Sequence, residues 1–140
     1  MRDAMGGVLV LASVLNCNIA SPLAAEALVC AQALRLRSEL GLQSAVVEGD
    51  ALAVIKKSQS SEVDKSEMRG YIRDIQYHRL SFNSLSFKHT SRSTNLVAHT
   101  IAKESLKTGD QFYLIGRVPA YAGGVAGIGS ELGQRARLRI

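Results

Sequence analysis

The amino-acid sequence predicts an α/β domain built on a mixed sheet flanked by helices. Three observations predict it. Short aliphatic runs and a segment of two-residue alternation recur along the chain, separated by stretches of helical spacing. Their order, strand, helix, strand, helix, helix, strand, helix, is that of a layered α/β fold in which parallel and antiparallel pairing coexist. At 140 residues the chain is long enough for one hydrophobic core and too short for two ordinary domains.

Taken in order, residues 3–7 read as a hairpin turn and residues 8–16 as the strand that leaves it, rich in aliphatic and β-branched side chains. Ser21 followed by Pro22 is a helix start: the serine hydroxyl can accept from a free N–H, and proline loses nothing at the first helical position. Leu23, Ala27, Cys30, Ala31 and Leu34 then recur at helical spacing as far as Leu40, and Gly41 is a C-terminal cap. Residues 45–48 form a short strand. Asp50 stands at its carboxyl end, immediately before a helical stretch over 51–57. Asp64 and Glu67 have capping-box spacing for a helix running through Ile72, Ile75 and Leu80. Leu85, Phe87 and His89 alternate with Ser84, Ser86 and Lys88, the period of a half-buried strand. Residues 90–94 form a polar loop, and Asn95 opens a last helix carrying Val97, Ala98, Ile101 and Ala102. After Gly109 the pattern dissolves among glycines and small residues, and residues 110–140 are expected to be a flexible tail.

Composition narrows the function classes. Hydrophobic residues make up 46% and charged residues 21%, and no apolar run is long enough to span a bilayer, so no membrane is expected among the partners. Seventeen Lys and Arg against twelve Asp and Glu give +5, a balance that favours polyanions, although much of the excess lies at Arg117, Arg135, Arg137 and Arg139. Cys17 and Cys30 lack zinc-site spacing and are too few for a disulfide framework, so both are expected to be reduced, packed thiols. Arg2, the apolar run over 8–15 and the small residues near 21–25 imitate a secretory signal, which would make this an exported small protein. Asp3, Gly6 and Gly7 argue against it, and an intracellular location is expected.

Several blocks carry a family resemblance. The run Ser21-Pro22-Leu23-Ala24-Ala25-Glu26-Ala27-Leu28 precedes Gly41-Leu42-Gln43-Ser44-Ala45-Val46-Val47-Glu48-Gly49-Asp50-Ala51. Together they resemble the first helix and next strand of plant ribonuclease H type 1-like domains of the reverse-transcriptase-associated kind, where the pattern is LAEA, a long helix, then VVVESD. Phe87-Lys88-His89-Thr90-Ser91-Arg92-Ser93-Thr94-Asn95-Leu96-Val97-Ala98-His99 is similar to their F-x-H-V-x-R-x-x-N-x-x-A-H/D segment. Arg2-Asp3, a glycine at 6 or 7, and Val8-Leu9 resemble the hairpin RD-x-x-G-x-V-L that comes before both. The blocks follow the family's order over residues 1–109, and Val118-Pro119 is similar to a VP near the end of such chains.

The resemblance implies a partial ribonuclease H-like domain over 1–109: a mixed sheet flanked by helices, N-terminally truncated, with the first strand missing. That strand is the middle one of the family's sheet, so its loss is expected to bare two strand edges and leave the polypeptide unstable or prone to aggregate. The resemblance also implies an RNA–DNA hybrid endoribonuclease, a hydrolase using two divalent ions, Mg2+ or Mn2+, to activate water and stabilise the leaving oxygen. Glu26 and Asp50 match its metal ligands, and His89 matches a histidine that assists product departure. His99 stands where the family places a further catalytic aspartate. Neutral imidazole suits magnesium poorly, which puts turnover in doubt. Glu26 can equally be a solvated helix acid, Asp50 a helix cap and His89 a packing residue. The other reading is a catalytically inactive module that holds an RNA–DNA hybrid or other nucleic acid through Lys56, Lys57, Lys88, Arg92 and Asn95.

Overall fold

The computed structural model describes residues 1, 10–115 and 136–139. Along the chain these form β1 (Val10–Ser13), α1 (Pro22–Glu39), β2 (Ser44–Gly49), α2 (Leu52–Gln59), α3 (Arg69–Arg79), β3 (Ser84–His89), α4 (Leu96–Thr108), β4 (Phe112–Ile115) and β5 (Ala136–Arg139). The expected hairpin turn over 3–7 and Val118-Pro119 lie outside the described residues.

The chain has the α/β class and ribonuclease H-like arrangement expected, a small mixed set of strands flanked by helices. Its pairing is divided between two sheets among the described residues. β2 lies at the centre of a parallel sheet in the order β3-β2-β5, and β1 pairs antiparallel with β4. The second edge of β2, expected to stand bare, is paired over Ala45 to Glu48 with β5. An unpaired strand edge offers a row of free backbone groups, and the C-terminal segment satisfies them. Both β4 and β5 come from the region beyond residue 110, where the sequence pattern marks no element.

Helix α1 starts as its sequence requires. Ser21 is extended and its Oγ accepts from Ala24 N at 3.1 Å, with proline at the first helical position. Gly41 ends the run at φ +69, the left-handed conformation that terminates helices. The buried stripe is Ala24, Ala27, Cys30, Ala31 and Leu34. Leu23, expected to face inward, is 41% exposed because the stripe begins one residue later. The capping box ahead of α3 does not form. Asp64 accepts from Lys57 and from the Ser66 backbone N–H, Glu67 accepts from Ser21, and the helix starts at Arg69 without a side-chain cap. Each carboxylate found a partner across the fold before it could serve its own helix.

The main core packs α1 and α3, with Val54 and Ile55 of α2, against Ala45, Val47 and Phe87 of the parallel sheet. Cys30 lies within it as expected, its thiol pushed up to about 12 by burial, whereas Cys17 is exposed. The pair β1–β4 and helix α4 form a smaller cluster around Val10, Leu11, Val97 and Ile101. A cavity of about 470 Å³ separates this cluster from α1, and Glu26 and His99 are part of its wall. No helix among the described residues is long and apolar enough to cross a membrane.

Candidate functional site

Three chain segments converge on Asp50. Strand β2 delivers it at its carboxyl end, and the parallel register that sets Gly49 beside His89 brings the end of β3 next to it. The Thr90 N–H closes this end of the ladder on Gly49 O at 2.9 Å. The chain then turns through residues 91–94, where Asn95 N donates to the carbonyls of Ser91 and Arg92, and enters α4. Asn95 and His99 are four residues apart, so one helix face presents both to the same point.

The Asp50 carboxylate is 14% exposed and engaged at both oxygens. Asn95 Nδ2 donates to Oδ1 at 3.3 Å. His99 Nε2 lies 3.0 Å from Oδ2, and Arg92 Nε lies 3.5 Å from the same atom. His89 Nε2 is 3.3 Å from the Asp50 backbone carbonyl. Burial opposes ionisation of Asp50, but the hydrogen bonds from His99 and Asn95 and the charge of His99 outweigh it, holding the carboxyl below the usual carboxylate range. Glu26, half-buried on α1, shifts the other way. Burial raises it first and the neighbouring Asp50 charge second, with His99 and Arg92 partly compensating. The two acids are therefore shifted in opposite directions, Asp50 downward by its donors and Glu26 upward by burial and the Asp50 charge.

The structure thus brings Glu26, Asp50, His89 and His99 to one corner, together with Asn95 and Arg92. Asn95 is 1% exposed and spends its amide on Asp50, so it positions the corner and does not lie on the surface. Lys88 and Arg92 are exposed on β3 and the following turn. Lys56 is exposed on α2, whose end is tied to β3 by Gln59 Nε2 donating to Phe87 O at 2.7 Å. Lys57, one residue on, is held by Asp64 and Ser66. Periodicity and motif matching do not reveal the bonds from Asn95 and Arg92 to Asp50. The four-residue spacing of Asn95 and His99 is the one local signal that both address a common partner.

Among the described residues, no group of three His, Cys, Asp or Glu is placed to hold a metal ion. The Asp50 oxygens face an amide, an imidazole and a guanidinium, each able to donate to a carboxylate. As arranged, the corner is a hydrogen-bonded acid, suited to fixing the loop between β3 and α4.

Comparison with known proteins returns one family. No curated protein and no solved structure matches the chain significantly. The profile of the reverse transcriptase-like family matches residues 1–105, three-quarters of the chain, and takes in every residue of the corner just described. With its α/β architecture and the carboxyl-end cluster around Asp50, this chain belongs to the reverse transcriptase-like family.

Proposed function

We propose that the chain is a nucleic-acid-binding module of this family that holds an RNA–DNA hybrid, or a related duplex, without hydrolysing it. One observation carries the reading: the Asp50 carboxylate is engaged at both oxygens, by Asn95 at one and by His99 and Arg92 at the other. Two divalent ions also need several anionic oxygens to balance their charge. The third position of the corner is an imidazole where two cations would need a further carboxylate. On this reading neither Mg2+ nor Mn2+ is required.

Binding falls to the exposed cations around the corner, Lys56, Lys88 and Arg92, with Lys57 partly spent on Asp64. Asp50 and Asn95 serve as positioning residues for the turn that carries Arg92. Such contacts recognise phosphate and carry little sequence information.

The test is a fluorescently labelled RNA–DNA hybrid followed by anisotropy and by gel over a salt series, in chelator, in Mg2+ and in Mn2+. Binding in chelator should equal binding in metal, with a log–log salt slope of roughly −2 to −3 for three neutralised phosphates. Lys88→Ala and Arg92→Ala should each reduce that slope by about one. Metal-dependent cleavage abolished by Glu26→Gln or Asp50→Asn would overturn the proposal in favour of an active hydrolase.

A further inference from the structure

Helix α3 spends one face on the core and leaves another bare. Ile72 and Ile75 are buried, with Met68 just ahead of them, in the core that α3 shares with α1. Arg69, Arg73, Tyr77 and Leu80 follow one another at spacings of four, four and three residues. That spacing sets them in one row along the helix, turned away from the buried stripe and roughly 16 Å from end to end. All four are exposed, Tyr77 at 70% and Leu80 at 84%. Arg35, Lys57, Arg92 and Lys107 each face a carboxylate, yet among the described residues Arg69 and Arg73 make no ion pair. The row is thus cationic over its first half and apolar over its second. The Tyr77 ring meets the His78 ring edge to face at 5.6 Å, a contact that steadies it while leaving it exposed.

We propose that this row is a docking surface for an acidic amphipathic helix, a partner segment whose contacting face carries two carboxylates beside two aliphatic side chains. Charge complementarity selects the occupant. Two guanidiniums one turn apart match carboxylates of the same spacing, and each can take a carboxylate at two of its donors. Arginine and tyrosine are also the side chains enriched where proteins meet. Leu80, adjoining Tyr77, adds apolar surface that a phosphate backbone would leave unused, which favours a peptide over a nucleic-acid strand. Asp74 is exposed in the neighbouring row with Gly70. It repels an acid set there and so fixes the rotation of the partner helix. Four side chains make a small contact, so association is transient. None of these residues belongs to the corner around Asp50, and the inference is independent of the nucleic-acid reading.

The probe is a capped, alanine-based helix of roughly 15 residues with two glutamates and two leucines along one face, made in both orders because a partner can run in either direction. Titrated into the full chain, one order should shift the backbone amide resonances of residues 69–80 and leave those of β2 and β3 in place, and binding should weaken as salt rises. Replacing both glutamates by glutamine should lower affinity about threefold or more. The variant R69Q/R73Q should lose the same factor and bind both peptides alike, which isolates the charge pairs. Tyr77→Ala should weaken binding about fivefold or more, whereas Tyr77→Phe should keep it. Because these side chains are exposed, the urea midpoints of the variants should match that of the parent. Failure of both orders to bind would overturn the proposal, as would equal affinity for the glutamate and glutamine peptides. A thymidine oligonucleotide that shifts the same amides at lower concentration than either peptide would overturn it in favour of a nucleic-acid surface.

Discussion

Among the described residues, the guanidinium of Arg37, fully buried near the end of α1, has Nε and Nη2 unbonded and Nη1 at 3.6 Å from Met1 Sδ. Burial pushes its pKa down to about 10, and no carboxylate among the described residues offsets that. A buried charge without a partner costs several kcal/mol, so an apolar side chain of similar length is the better occupant. Arg37→Met should raise stability by about 1–4 kcal/mol, read as a higher urea midpoint at unchanged slope. A lower midpoint would show that the charge is compensated in solution. Asp64 is the opposite case. The Lys57 hydrogen bond, then that of Ser66, hold its carboxyl below the ordinary 3.8. A depressed acid stabilises the fold above its unfolded pKa, and that contribution is lost as pH falls toward the folded value. Asp64→Asn should therefore be less stable than the parent at neutral pH, and the gap should close as pH drops below 3.8. A gap independent of pH in melts from 2 to 7 would contradict the ion-pair account. Neither prediction was legible in the sequence, where Arg37 is one more helix cation and Asp64 one more cap.

Single elements differ in how far their sequence speaks for them. Helix α1, with a local signal at each end, stops where its sequence says, at Gly41; α4 closes at Gly109, φ +72, and its Asn95 makes no side-chain cap. Ser21 does more than cap, since its hydroxyl accepts from Ala24 N and donates to Glu67, linking the start of α1 to the segment before α3. Ser21→Ala should cost about 1 kcal/mol by urea denaturation, whereas Ser21→Asp should recover most of the cap but not the link to Glu67. Equal stability of all three would remove the cap from the account. Helix α3 shows the converse: its expected capping box dissolved because Asp64 and Glu67 had stronger partners elsewhere. Strands β4 and β5 are four residues each, too short for periodicity to register against glycine-rich surroundings.

At the scale of the whole molecule, the described residues fall into two packed groups. One holds α1, α2, α3 and the parallel sheet; the other holds β1, β4 and α4. The cavity lies between them, and the bonds from Asn95 and His99 to Asp50 cross from the second group to the first. Native-state hydrogen exchange should resolve two cooperative units, with α4 and β1 opening at lower free energy than β2 and β3. Asp50→Ala should lower protection in α4 while leaving β2 and β3 nearly unchanged; uniform loss across both groups would indicate a single unit. The expectation that a bare β2 edge makes the polypeptide aggregate now turns on β5, which covers that edge. The sequence by itself determined the α/β class and both ends of α1, while Glu26, Asp50, His89 and His99 were marked out by the resemblance of its blocks to a known family. The class and the helix ends follow from spacing, caps and order, which are properties of neighbours along the chain. Only the tertiary structure decided that Asp50 is engaged at both oxygens, that Arg37 is buried in the interior and that residues 136–139 pair with β2. Each of those is set by which groups reach one another across tens of residues, where competition for hydrogen-bond partners overrides local preference.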